Sequence, residues 1–471
     1  MKQIYSFLYS VVLILSSMVL FSSCANIIPP GGGPRDSLPP RLVTSLPKDS
    51  ALNVTNKNIT LTFDEFVKLQ NPQDAVIISP YPSAKGSPLY DYKLRNVTVK
   101  LKDSLEPNTT YSLDFGDAIR DENEGNIARN FRYIFSTGNK IDYNTYAGRV
   151  ILAESGRIDS TLIVVLHKNL NDTAILKDRP RYLTHVNGKG EFIFHNLPEG
   201  DFGVYVLEGA NNFLKRYDDS TRMFAFRNSP VTINPNTIPD TLYAFEEFKR
   251  KPAGASSSAS QTRIIPGKDD KRLKYTIDLN NGQQDLLSNL TLTFNRKLTT
   301  FDSAGFTLLD TSFHKLSGYS FSLDTGKTKV VLKYKWKEST QFRLLINKDA
   351  IADSAGTMLS KADSIRFITK RESDYGSLRI RFANLDLSKN PVLQIVVSDR
   401  IIESVPLTQS DFTRKMFAPG TYDLRILYDA NKNGIWDTGH FKTKKQPEVV
   451  QRIKQPVTVK GNWDNEVNIS L

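Results

Sequence analysis

Apolar and polar residues alternate in short runs along most of this chain. Asn58-Ile59-Thr60-Leu61-Thr62-Phe63, Asn96-Val97-Thr98-Val99-Lys100-Leu101 and Thr110-Tyr111-Ser112-Leu113-Asp114-Phe115 all repeat with period two. A period of two puts successive side chains on opposite faces of a strand, so each run predicts a half-buried β-strand. The runs are short, rich in β-branched and aromatic residues, and bounded by Asn, Asp, Gly or Pro. No segment carries a long, capped helical pattern. Closely spaced strands without intervening helices predict antiparallel sandwiches.

The pattern also repeats at long range. Thr60-Leu61-Thr62-Phe63-Asp64 returns as Thr291-Leu292-Thr293-Phe294-Asn295, and Ala118-Ile119-Arg120-Asp121 followed by Gly125 returns as Ala350-Ile351-Ala352-Asp353 followed by Gly356. Each copy closes on an aromatic strand, Phe131–Thr137 and Ser364–Thr369. A second unit repeats as well: Leu197-Pro198-Glu199-Gly200-Asp201-Phe202 matches Phe417-Ala418-Pro419-Gly420-Thr421-Tyr422. The order is therefore A, B, A′, B′. The predicted segments are 1–23 (leader), 24–38 (Pro/Gly-rich spacer), 39–140 (A), 141–248 (B), 249–270 (linker), 271–373 (A′, degenerate) and 374–471 (B′).

Module A resembles the bacterial Ig-like domain named after a surface-layer protein. The resemblance rests on Pro39-Pro40, Ser45-Leu46-Pro47, Ile59–Asp64, Leu105-Glu106-Pro107-Asn108-Thr109-Thr110-Tyr111 and the closing Phe135-Ser136-Thr137-Gly138. Module B is similar to the carboxypeptidase-regulatory or transthyretin-like sandwich, through Gly190-Glu191-Phe192-Ile193-Phe194 and Asn196-Leu197-Pro198-Glu199-Gly200. The whole layout resembles Ig-like lipoproteins of the Bacteroidota. The expected fold is all-β: tandem antiparallel β-sandwiches, Ig-like and transthyretin-like modules alternating, behind a lipoprotein signal peptide.

Cys24 is the only cysteine among 471 residues. It follows Lys2, an apolar stretch from Ile4 to Phe21, and Ser22-Ser23. This resembles a lipobox, where the thiol after the cleavage point receives a diacylglycerol, although Phe21 stands where an aliphatic residue is usual. A plain secretory leader cut at Ala25 and an uncleaved span are the rival readings. Six serines between Ile4 and Cys24 dilute it, and a span needs about 20 apolar residues. Lipidation of Cys24 implies an outer-membrane anchor. Ala25-Asn26-Ile27-Ile28, without acidic residues, leaves the side of that membrane open.

With Cys24 lipidated no intramolecular disulfide can form, so each module must bury a sufficient core. A hydrophobic content of 39% permits this. The net charge of +12 invites a nucleic-acid reading, but 62 Lys and Arg are interspersed with 50 acids, and no basic helix or ribonucleoprotein-type motif appears. Nucleic acid is excluded as a partner.

Candidate chemistry is sparse. Asp429-Ala430-Asn431-Lys432-Asn433-Gly434-Ile435-Trp436-Asp437 fits D-x-N-x-N-G-x-x-D, the start of a calcium loop. Asp429, Asn431, Asn433 and Asp437 are the candidate metal ligands and calcium the candidate cofactor. His440 occupies the place of the bidentate Glu, and an Asx-rich hairpin tip is the competing reading. Trp436 and Trp463 are candidate glycan-stacking residues, against a core role. The five histidines form no zinc pattern, and no serine-hydrolase elbow or phosphate loop is present. The expectation is no enzyme. The expected role is that of a lipid-anchored structural or interaction protein of the envelope, an accessory subunit of an outer-membrane protein complex, with a glycan-binding lipoprotein using a calcium-supported loop as the alternative. An enzyme with a site assembled between modules comes third.

Overall fold

The computed structural model describes residues 35–209, 215–218, 223–247 and 272–471. The leader, Cys24 and the linker at 249–270 lie outside the described residues, apart from the end of the spacer. Among the described residues no helix is long and apolar enough to cross a membrane.

Asn58–Phe63 behaves as its alternation predicts, with Ile59, Leu61 and Phe63 pointing into a core and the residues between them less buried. It lies between Leu42–Leu46 and Asn96–Lys100, with Leu89–Lys93 at the far edge. The facing sheet is Ile77–Ser79, Thr110–Gly116 and Phe131–Ser136, and its Leu113, Phe115, Tyr133 and Phe135 complete the core. A short ribbon pairs Val67–Leu69 with Ile119–Asp121. The second copy repeats this plan. Tyr275–Ile277, Leu290–Phe294, Lys329–Lys333 and Ser320–Leu323 form one sheet, and Leu298–Phe301 pairs with Ile351–Asp353 in the equivalent ribbon.

The repeated aspartate has a physical role in both copies. Asp121 accepts from the N–H groups of Glu124, Gly125 and Asn126. Asp353 accepts from those of Ala355 and Thr357 and pairs with Arg296. Each buried carboxylate thus satisfies the backbone of the turn that follows it.

The B units share a different topology. Asn144–Leu152 pairs antiparallel with Glu191–Leu197 and parallel with Asp240–Ala244; Gly376–Ala383 does the same with Asp411–Phe417 and Asp464–Ser470. The last strand of each unit returns beside the first, which adds one parallel pair to otherwise antiparallel sheets. The second sheet of B runs Tyr182–His185, Leu162–His167, Gly200–Glu208, Phe224–Phe226; that of B′ runs Arg400–Pro406, Pro391–Val397, Gly420–Tyr428, Val449–Arg452.

Leu162–His167 does not alternate; all six residues are buried. Leu162, Val164 and Leu166 face the B core, while Ile163 and Val165 face a separate apolar cluster. A continuous apolar run means a strand covered on both faces. His167 ends it, edge-on to Tyr205, and burial pushes its imidazole down to about 4, so the ring is neutral at ordinary pH.

Candidate functional site

The cover over that second face comes from B′. Phe441 enters the cluster formed by Tyr205, Tyr217, Phe224 and Phe226, with its ring centroid 5.2 Å from those of both Phe224 and Phe226. Polar contacts surround it. The Phe441 N–H donates to a Glu247 oxygen at 3.2 Å, the Thr438 hydroxyl to the Glu246 carbonyl at 2.7 Å, and the Gln446 amide to the Phe226 carbonyl at 3.0 Å. Arg157 pairs with Asp399, and Lys444 with Asp172. The Val450 N–H donates to the Ala153 carbonyl at 2.8 Å. Gly156, at φ +65°, lies against this same strand; a Cβ there would stand 2.8 Å from both Arg452 N and Val450 O. Only glycine allows that approach without strain. Module A joins through Ile77 and Tyr81 at the edge of the cluster and through the Arg181–Glu106 pair.

The loop carrying the candidate metal ligands belongs to this junction. Asp429 is buried at the end of Gly420–Tyr428, and its carboxylate accepts from the Gly434 N–H at 2.7 Å and the Asn433 N–H at 3.3 Å. One oxygen of Asp437 meets the side-chain amides of both Asn431 and Asn433, the latter at 3.1 Å. The tips of three of the four candidate ligands therefore converge. Glu448 holds the loop from below, accepting from the Ala430 N–H at 2.8 Å and the Asp437 N–H at 3.0 Å. Among the described residues no group of three or more His, Cys, Asp or Glu side chains could hold a metal ion, so amide oxygens would have to contribute.

Trp436 is half-buried. Its ring packs against both Phe441's cluster and the Val392, Leu427 and Val450 group, and its indole N–H donates to the Glu448 carbonyl at 2.7 Å. Part of the ring is thus engaged in packing at the junction. Trp463 is exposed, with the Lys460 ammonium 5.3 Å from its ring centroid.

Glu448, Phe441 and the Arg157–Asp399 pair were not singled out from the sequence. Phe441 sits in the polar stretch Gly439-His440-Phe441-Lys442-Thr443-Lys444, which has no periodicity. The available signal was Leu162–His167, whose unbroken apolar run requires a cover on each face.

Between the two B units lies a cleft of about 1430 Å³. One wall is the outward face of Asn144–Leu152 and Asp240–Ala244; the other is Val449–Arg452 with the segments at 388–390 and 445–448. Asn431 and Asp437 stand at its rim.

Residues 36–137 match the family of the bacterial Ig-like domain. No curated protein matches the chain. Among solved structures, a fragment of native alpha-2-macroglobulin from Escherichia coli is 11% identical, over 41% of this chain and 91% of that one, with a TM-score of 0.21. The TIE protein of Bacillus anthracis is 10% identical over 94% and 75%, with a TM-score of 0.16. The N-terminal part of the bacterial S-layer protein SbsC is 14% identical over 44% of each chain, also at 0.16. Superposition scores this low establish neither a common arrangement of modules nor a common role.

Proposed function

We propose that the chain is a non-enzymatic envelope protein, anchored to the outer membrane by a lipid on Cys24 and working as an interaction module, an accessory subunit of an outer-membrane protein complex. The observation that carries this reading is the junction of B with B′. Two sandwiches distant in sequence bury aromatic rings against each other and hold a cleft open between them, which suits a rigid docking body more than a string of independent beads. The Ig-like match over 36–137 is consistent with it.

The test is Cys24→Ser in the native host. The wild-type chain should sediment with membranes, carry acyl mass on its first mature residue and co-purify with the same envelope proteins repeatedly. The variant should lose all three. Wild-type chain recovered alone from detergent extracts would end the subunit role, and an unmodified Cys24 would end the anchor.

The convergence at Asp437 favours the second reading, a glycan-binding lipoprotein with a calcium-supported loop. Amide oxygen and nitrogen occupy interchangeable places. Turning the two asparagine amides over would aim their oxygens, with the Asp437 carboxylate, at one point suited to a hard cation, at the cost of the bonds those oxygens now accept from the Asn433 and Ile435 N–H groups at 3.0 and 2.8 Å. Calorimetric titration with calcium should give heat that Asp429→Ala abolishes, and silence in the wild type removes the ion.

A further inference from the structure

The cleft between B and B′ has an unbalanced charge. Six of its lining residues are cationic, against Asp437 and Glu448. Both acids are already engaged by the loop, Glu448 by two backbone N–H groups and Asp437 by two amides. Three of the cations have internal partners: Arg157 with Asp399, Lys389 with Asp386 and Arg452 with Asp423. The other three, Arg149, Lys445 and Lys454, have no carboxylate partner among the described residues, although Arg149 donates to the Lys189 carbonyl at 3.1 Å. Hydrogen bonds from neutral N–H groups do not cancel the charges of Asp437 and Glu448, so the three cations leave a single net positive charge facing a concave space, where field lines are focused.

The neutral lining narrows the ligand. A peptide would bind best by adding a strand to an open sheet edge. Here the exposed edge of Val449–Arg452 is taken by the Ala153 carbonyl and by Gly156. Recognition therefore falls to side chains, and these are the phenols Tyr243 and Tyr428 with amides such as Asn390 and Gln451. Tyr428 is fixed by its hydroxyl bond to Gln451 at 2.9 Å. Aromatic faces suit the C–H faces of sugars, amides suit paired hydroxyls, and free cations suit carboxylates.

We infer that the cleft binds an acidic glycan, its carboxylates on Arg149, Lys445 and Lys454 and its sugar rings against Tyr243 and Tyr428. This rests on the reading of the chain as a non-enzymatic interaction module, yet it does not depend on the lipid at Cys24. It shares its rim with the calcium loop through Asn431 and Asp437, while the buried Asp429 lies outside the cleft lining.

The probe is an oligogalacturonate titrated calorimetrically into the full-length chain in detergent, beside its methyl-esterified form, poly-glutamate and anionic phospholipid vesicles. Binding should weaken as salt rises. It should fall about tenfold for each cation replaced in Lys445→Gln and Lys454→Gln, the equivalent of about 1.4 kcal/mol each, and it should be lost with the ester. Both lysines are at the surface, so unchanged melting temperatures confirm that the variants fold. Three results overturn the inference: no heat with the uronate, variants that bind like the wild type, or an ester that binds as well as the acid. Equal affinity for poly-glutamate would reduce the site to a general polyanion surface, and equal affinity for vesicles to a lipid-facing one; either also overturns it. Loss of acylation or of co-purified proteins in Cys24→Ser leaves this titration unchanged, so the two readings fail separately.

Discussion

Phe441→Ala should separate the two B units without unfolding either. The Phe441 ring is 5% exposed and stands among four aromatic rings of B, while the cores of B and B′ do not include it. Truncating a buried phenylalanine costs about 3–5 kcal/mol, here charged to the docking of one sandwich on the other. Urea unfolding followed by tryptophan fluorescence should then lose cooperativity, because Trp436 sits in the released segment. Limited proteolysis should cut near residues 438–446, which the wild type protects. Phe441→Leu, which keeps most of the buried area, should retain much of the protection. An unchanged midpoint and proteolytic pattern in the alanine variant would show that the rings do not hold the junction.

The second large effect is expected at Asp121. Its carboxylate is fully buried and accepts three backbone N–H groups, at 2.6, 2.7 and 2.9 Å. Asp121→Ala leaves those donors without a partner in a turn that Gly125 closes at φ +79°. The expected cost is about 3 kcal/mol, since a buried unsatisfied donor costs about 1–3 kcal/mol and water recovers part of the loss. The pH dependence has a defined sign. Burial alone would raise the carboxyl, but the backbone donors of Gly125, Asn126 and Glu124 outweigh it and hold the group below the usual aspartate range. A group depressed in the folded state stabilises fully above its unfolded value of about 3.9, and that contribution is lost as the pH falls through the folded value. Urea midpoints measured at pH 7 and pH 3 should therefore differ more in the wild type than in Asp121→Ala. An equal difference in both would remove Asp121 from the account of acid sensitivity.

The sheets were legible because each strand reports its own exposure. Asn58–Phe63 alternates and is buried on one face; the repeat of Asp121 as Asp353 marks the same turn in both A copies. The site was less legible, for a physical reason. Local periodicity encodes how a strand meets its own sandwich, whereas the junction is built from residues nearly two hundred positions apart, such as Thr438 and Glu246, 192 residues apart. Phe441 has no periodic neighbours to announce it. Glu448 lies 11 positions beyond the Asp437 N–H it accepts from, past the end of any compact loop motif. Trp436, whose polar surroundings suggested display, is held by that glutamate's own carbonyl.

The long separation of Phe441 from its aromatic hosts bears on how the polypeptide matures. The chain reaches its folding compartment N-terminus first, and 192 residues separate Glu246 from the Thr438 that donates to it. Until that segment arrives the newly folded first half presents Ile163, Val165 and Phe224 as a bare greasy panel. B′ is also delayed, because its opening strand Gly376–Ala383 waits for Asp464–Ser470. The nascent chain thus passes through a stage with two incomplete surfaces, the stage at which holding chaperones would engage it.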